Sequence, residues 1–170
     1  MNIFNFSVKN NYEKLLKSLK EGGIIMKIKE CMNNNVTYAL TTNTVEDCAK
    51  LMNEKHIGCI PVCNESEQIV GLITDRDIVL RCVACSKEPN TTPVSEIMTC
   101  NPCWCTPEAN ISEVQNLMSE NQVKRIPVVQ NKKVVGIVTV RDLALNSKVD
   151  DNSVTDTIEN ICGSNEKNAE

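Results

Sequence analysis

Apolar positions along this chain change period in a fixed order, and they do so twice. Val45, Cys48, Leu51 and Met52 recur at helical spacing, and so do Ile111, Val114, Leu117 and Met118. Thr44 with Asp47, and Asn110 with Glu113, stand where a reciprocal side-chain cap would start each helix. Behind each helix come two runs rich in β-branched residues, 59–63 with 69–74 and 125–129 with 134–139. The polar stretches between them, 64–68 and 130–133, have hairpin length. A second helix is predicted to start at Thr74 and at Thr139. With a short strand upstream, each copy reads β-α-β-β-α, which places the chain in the α/β (α+β) class.

The two copies also match residue by residue. Leu51-Met52 returns as Leu117-Met118 and Ile60-Pro61-Val62 as Ile126-Pro127-Val128. Val70-Gly71, Thr74 and Arg76-Asp77 return as Val135-Gly136, Thr139 and Arg141-Asp142. Upstream, Glu30 and Met32 match Glu96 and Met98, and Tyr38 matches Trp104. This predicts a first repeat over 26–85, a polar linker over 86–94, a second repeat over 95–148 and an acidic tail over 149–170. A unit so small buries its sheet poorly alone, so the two are expected to pack sheet against sheet.

Composition removes several functions. With 170 residues, 41% of them apolar, a core is possible for one domain or two small ones. Aromatics make up 3%, and Phe4, Phe6 and Tyr12 lie near the start, which argues against a base-stacking reader of single strands. The net charge is −4 and no basic block or helix-turn-helix pattern appears, so nucleic acid is not expected as a partner. One histidine, His56, leaves little room for a nucleophilic triad, and Asp77 and Asp142 have no nucleophile or metal set near them in sequence, so no enzyme is expected. No apolar run reaches the roughly 20 residues of a membrane span, and no signal peptide is evident, so the expected compartment is the cytoplasm.

There the ten cysteines are expected as thiols. Cys82 and Cys85, expected at i,i+3 within the second helix, with Cys100 and Cys103 approximate four-thiolate zinc spacing, which gives a rival metal-binding or redox-sensing function; small buried hydrophobes are the other reading. In residues 1–25, Tyr12, Leu15, Leu16 and Leu19 predict one apolar helix face ended by Gly22-Gly23. Glu21-Gly22-Gly23 can also be encoded by a purine-rich ribosome-binding sequence, which makes Met26 an alternative start.

The strings IPV then VGLITDRD, and RIPVV then VVGIVTVRD, resemble tandem CBS domains, the paired unit called a Bateman module. The resemblance covers about 26–147, and DRDIVLR and TTPVSEIMT resemble the small bacterial members. It implies clefts between the repeats for AMP, ADP, ATP or S-adenosylmethionine, no required cofactor, a disc-like homodimer and a protein partner regulated in trans. By the same resemblance Asp77 and Asp142 contact ribose, Thr74 and Thr139 contact phosphate, and Ile60-Pro61 and Ile126-Pro127 flank adenine. Backbone near Val36-Thr37 and Pro102-Cys103 completes that flank.

The residues themselves fit this chemistry. A strand-to-helix junction points free N–H groups at an anion, a carboxylate accepts from two sugar hydroxyls, and Arg76 and Arg141 offer charge-assisted contacts. Thr-x-x-Asp is equally a plain helix cap. The family also places basic groups where Lys55 and His56 stand, so the first repeat is expected to suit polyphosphate better; the second has Asn121 and Gln122 there, followed by Lys124 and Arg125.

Overall fold

A computed structural model describes residues 26–163. The amphipathic stretch predicted around Tyr12 to Leu19 lies outside the described residues. In chain order the elements are β1 (Ala39–Leu40), α1 (Val45–Lys55), β2 (Cys59–Cys63), β3 (Ile69–Thr74) and α2, which opens as Asp75–Asp77 and continues with π-helical bonding through Ile78–Val83. Then follow β4 (Thr99–Cys100), α3 (Ile111–Asn121), β5 (Arg125–Gln130), β6 (Lys133–Thr139), α4 (Val140–Ala144) and α5 (Asp151–Cys162). Single 3-10 turns stand at Ile28–Glu30 and Val94–Glu96.

The helices start where the caps predict. The Asp47 N–H donates to Thr44 Oγ1 at 3.1 Å, and the Thr44 N–H donates back to the Asp47 carboxylate at 3.0 Å. The Asn110 N–H donates to Glu113 Oε2 at 2.9 Å. Both helices end on a left-handed residue, His56 at φ 53° and Gln122 at φ 54°, in equivalent places. The hairpins β2-β3 and β5-β6 carry the same irregularity, between Val62 and Cys63 and between Val128 and Val129.

The two cores do not follow the repeat boundary. β4 opens the second repeat, yet it pairs antiparallel with β3 of the first, Gly71 opposite Cys100. Reciprocally, Asn33 of the first repeat bridges Ile137 of β6. Met26 and Ile28 are therefore buried with Val114, Met118, Ile126 and Val138, while Val94 and Ile97 are buried with Val45, Ile60, Val62 and Ile73. The exchange explains both Val-Gly pairs. A Cβ on Gly71 would land on the Met98 sulfur, and one on Gly136 would sit 2.6 Å from the Met32 sulfur. Each methionine of a leading segment thus lies over a glycine of the other repeat.

Parallel pairing of β1 with β2, Ala39 opposite Val62, is echoed in the second repeat only by the bridge from Cys105 to Val128. The hairpin tips meet across the repeats: Gln68 bridges Lys133, Lys133 Nζ donates to Glu67 Oε2 at 2.5 Å, and the Tyr38 hydroxyl donates to Glu67 Oε1 at 3.2 Å.

Two expectations are corrected. Residues 149–170, expected as an acidic tail, include α5, which packs on α3 and α4 with Val154, Thr157 and Ile161 buried. Its three inward positions fall on one helical face, and charge alone hides that signal. Cys85 does not lie in the second helix, which ends at Val83 and passes into a turn. Among the described residues no helix is long and apolar enough to cross a membrane.

Candidate functional site

At the end of β3, Thr74 keeps extended backbone and the chain turns at once into α2. The Asp77 N–H donates to Thr74 Oγ1 at 3.1 Å, while Asp77 Oδ2 accepts from the Thr74 N–H at 2.9 Å and from its hydroxyl at 2.6 Å. The end of β6 repeats this. The Asp142 N–H donates to Thr139 Oγ1 at 3.2 Å, and Asp142 Oδ2 accepts from the Thr139 N–H at 2.8 Å and its hydroxyl at 2.6 Å. The capping role is therefore realised in both copies, and it orients each carboxylate at a helix start.

Both junctions are anchored to the preceding strand's approach. The Asp75 N–H donates to the Gly58 carbonyl at 3.3 Å, and the Val140 N–H to the Lys124 carbonyl at 3.0 Å. A Cβ on Gly58 would stand 2.7 Å from Asp75 Oδ2, so the exposed Asp75 side chain would have to turn aside. Arg125 joins the repeats at the same point, donating from Nη1 to the Gly58 carbonyl at 3.3 Å.

The second carboxylate oxygen is where the copies part. Asp77 Oδ1 lies 3.3 Å from Arg81 Nη1, which also donates to the Ile97 carbonyl at 2.9 Å and to Thr99 Oγ1 at 3.1 Å. The residue equivalent to Arg81 is Asn146, whose Oδ1 accepts from the Lys148 N–H at 3.0 Å. Asp142 has no ion-pair partner among the described residues, and Cys31 of the crossing segment stands near it. Sequence reasoning passed over Arg81, Asp75 and Gly58; the i,i+4 spacing of Asp77 and Arg81 on a helix was the readable signal.

The other expected residues are spread around these junctions. Ile60 and Ile126 are fully buried core members and Pro61 and Pro127 are buried, whereas Val36, Thr37, Pro102 and Cys103 are half-buried. Arg76, Arg141 and Lys124 are exposed. His56 is exposed and closes α1, and Lys55 pairs with Glu54 at 2.9 Å. A surface hollow of about 350 Å³ between β1 and α1 is lined by Tyr38, Asp47, Lys50 and Glu54, and none of Thr74, Asp77, Thr139 or Asp142 lines it.

The thiols are dispersed. Cys82 is buried and donates to the Lys87 carbonyl at 3.4 Å, Cys85 and Cys100 are exposed, and Cys103 is half-buried. Among the described residues no three His, Cys, Asp or Glu side chains are grouped to hold a metal, so the four-thiolate set allowed by spacing is not assembled: the four thiols are divided among α2, the turn after it, β4 and the following loop. Burial, reinforced by Asp142 and Glu30, pushes the Cys31 thiol up to about 11. Burial pushes Cys105 up to about 12, with Cys103, Cys31 and Glu113 adding to it. Burial also takes Cys59 to about 12, although Arg125 opposes the rise. These three thiols are protonated at neutral pH.

Comparison with known proteins is consistent along the chain. The CBS domain family model matches twice, over residues 28–83 and 94–147. YlbB of Bacillus subtilis is 40% identical over 126 residues, 74% of this chain and 84% of that protein. The crystal structure of hypoxic response protein I with two coordinated zinc ions superposes with a TM-score of 0.66 at 35% identity, covering 70% of this chain and 97% of that one; a protein of that name from Mycobacterium tuberculosis is 33% identical over 134 residues, 79% of this chain and 92% of its own. The CBS domain pair of protein MJ0100, in complex with 5′-methylthioadenosine and S-adenosylmethionine, superposes with a TM-score of 0.64 at 28% identity, over 70% of this chain and 97% of that one. With both repeats matched, and with each junction built on the same threonine and aspartate, the chain belongs to the CBS-domain family as a tandem pair.

Proposed function

We propose that this protein is a non-catalytic sensor that binds an adenosine-containing ligand, AMP, ADP, ATP or S-adenosylmethionine, between its repeats. The observation that carries the reading is the duplicated junction, in which a threonine hydroxyl and an amide cap hold a carboxylate at a helix start. A vicinal diol suits such a carboxylate, and a phosphate suits the adjacent N–H groups. The adenosine compounds held by the MJ0100 pair support the same class of ligand. Arg76 and Arg141, and Lys124 with Arg125, are the cations available to a phosphate, while Val36, Thr37, Pro102 and Cys103 offer half-buried surface beside a base.

The ligand acts by binding one packing of the repeats better than another, since it can shift that equilibrium only by its difference in affinity. The response passes to a protein partner in trans, from a homodimer in the cytoplasm. A thermal-shift and calorimetric panel of the four ligands tests the reading. At least one raises Tm, as binding to the folded state requires, and the double variant Asp77→Ala with Asp142→Ala abolishes the rise. A panel with no response in the unaltered protein sinks it.

The zinc of the hypoxic response protein I structure favours a second reading, a thiolate metal or redox-sensing protein on this fold. The dispersal of the thiols weighs against it. Stoichiometric zinc in anaerobically purified protein, lost on replacing Cys82 and Cys100 by serine, would put it first.

A further inference from the structure

We infer that the two clefts are unequal because Arg81 acts as a built-in occupant of the first: the Asp142 cleft takes an adenosine ligand, and the Asp77 cleft stays closed to ribose while Arg81 is in place. This rests on the adenosine-binding reading above. At Asp77 both carboxylate oxygens are engaged, Oδ2 by Thr74 and Oδ1 by the Arg81 guanidinium at 3.3 Å. Arg81 is itself held, because the same Nη1 donates to the Ile97 carbonyl and to Thr99 Oγ1 on the segment that crosses from the second repeat. A ribose diol arriving at Asp77 must compete for Oδ1 with a guanidinium that is anchored at two further acceptors.

At Asp142 only Oδ2 is engaged, and the sequence counterpart of Arg81 is the uncharged Asn146, whose Oδ1 accepts from the Lys148 N–H. One carboxylate oxygen is left for a sugar. The charge around the junctions points the same way. Asp75, beside the first junction, adds a second carboxylate that repels phosphate, and its counterpart in the second repeat is the uncharged Val140. Val140 also donates to the backbone of Lys124, which places a lysine at the second junction, while the Arg125 side chain reaches back to Gly58 at the first. This ordering is the reverse of the one that Lys55 and His56 suggest; Lys55 pairs with Glu54, and His56 is exposed at the end of α1.

Calorimetry of AMP with the full chain tests the inference. The unaltered protein binds one AMP per chain, and Asp142→Asn removes that event. Arg81→Met, or Arg81→Gln, which can still donate to the Ile97 carbonyl, raises the stoichiometry to two. Combining either with Asp142→Asn leaves one event, which Asp77→Asn then removes. Arg81 is an exposed side chain, and the melting temperature of each variant without ligand checks that it folds. One AMP per chain in both Arg81 variants, or binding that survives Asp142→Asn in the unaltered background, overturns the inference while leaving the adenosine reading intact. Absence of AMP binding in every protein, together with no response to ADP, ATP or S-adenosylmethionine, removes both.

Discussion

The two strand-to-helix junctions share a backbone and differ in their surroundings. Thr74 stands at φ −119°, ψ 161° and Thr139 at φ −122°, ψ 160°, and each hydroxyl reaches its aspartate at 2.6 Å. Yet one aspartate lies 3.3 Å from an arginine, and the other has no ion-pair partner among the described residues. Repetition of Thr-x-x-Asp is enough to duplicate the local geometry, because capping is a matter of a few adjacent residues. It does not duplicate the electrostatics, which depend on positions 75, 81 and 146, where the copies diverge.

The largest expected effect asks whether the halves are independent at all. Ile60→Ala and Ile126→Ala each empty a fully buried site in one core, at a cost of about 2–5 kcal/mol. Because each core contains the other repeat's leading segment, both substitutions should lower one shared unfolding transition. Two separated transitions in denaturant would show that the exchanged segments do not couple the halves.

Next in size are the glycines beneath the methionines. Gly71→Ala and Gly136→Ala each force a methionine aside, and overpacking of this kind costs about 1–3 kcal/mol. The second should cost more, since its new Cβ also meets the Asn33 carbonyl oxygen at 3.3 Å, and backbone yields less readily than a thioether. Met32→Ala combined with Gly136→Ala should recover part of the loss in a double-mutant cycle; additive losses would deny the contact.

Smaller still is the loss of a cap. Thr74→Val and Thr139→Val remove the hydroxyl that accepts the third helical N–H, worth about 1 kcal/mol each by analogy with other caps. Similar losses at the two sites, read from denaturation midpoints, would support the equality of the junctions; a large inequality would break it.

The weakest effect is alkaline. Unfolding returns the Cys31, Cys59 and Cys105 thiols to an ordinary value near 9, whereas folded they titrate at about 11, 12 and 12. Above pH 9 the unfolded chain loses these protons first, so stability falls as pH rises from 9 toward 12 and is unaffected by these groups below that window. Melting temperatures across pH 8 to 10.5 should decline, and less so in Cys59→Ala relative to its own value at pH 8. At neutral pH, alkylation should label exposed Cys85, Cys100 and Cys162 before these three. Early labelling of Cys31 or Cys105 would indicate an open second repeat.

Much of the architecture was legible in the sequence. Helical and alternating periods located the helices and hairpins, caps placed their starts, and the duplicated strings announced the two copies. These features are local, set by neighbours three or four positions apart or by the face of a strand. Which copy's leading segment completes which core was not readable, because Met32 and Met98 look alike in sequence and only three-dimensional packing decides that each lies over the other repeat's glycine. Nor was α5 evident as a covering helix, since Val154 and Ile161 acquire meaning only against α3 and α4. The sequence by itself determined a pair of equivalent junctions with an aspartate at each. Their difference in charge is also written in the sequence, at Asp75 against Val140 and Arg81 against Asn146; tertiary structure alone decided how Arg81 is held, because it anchors at Ile97 and Thr99 only once the segment bearing them has crossed.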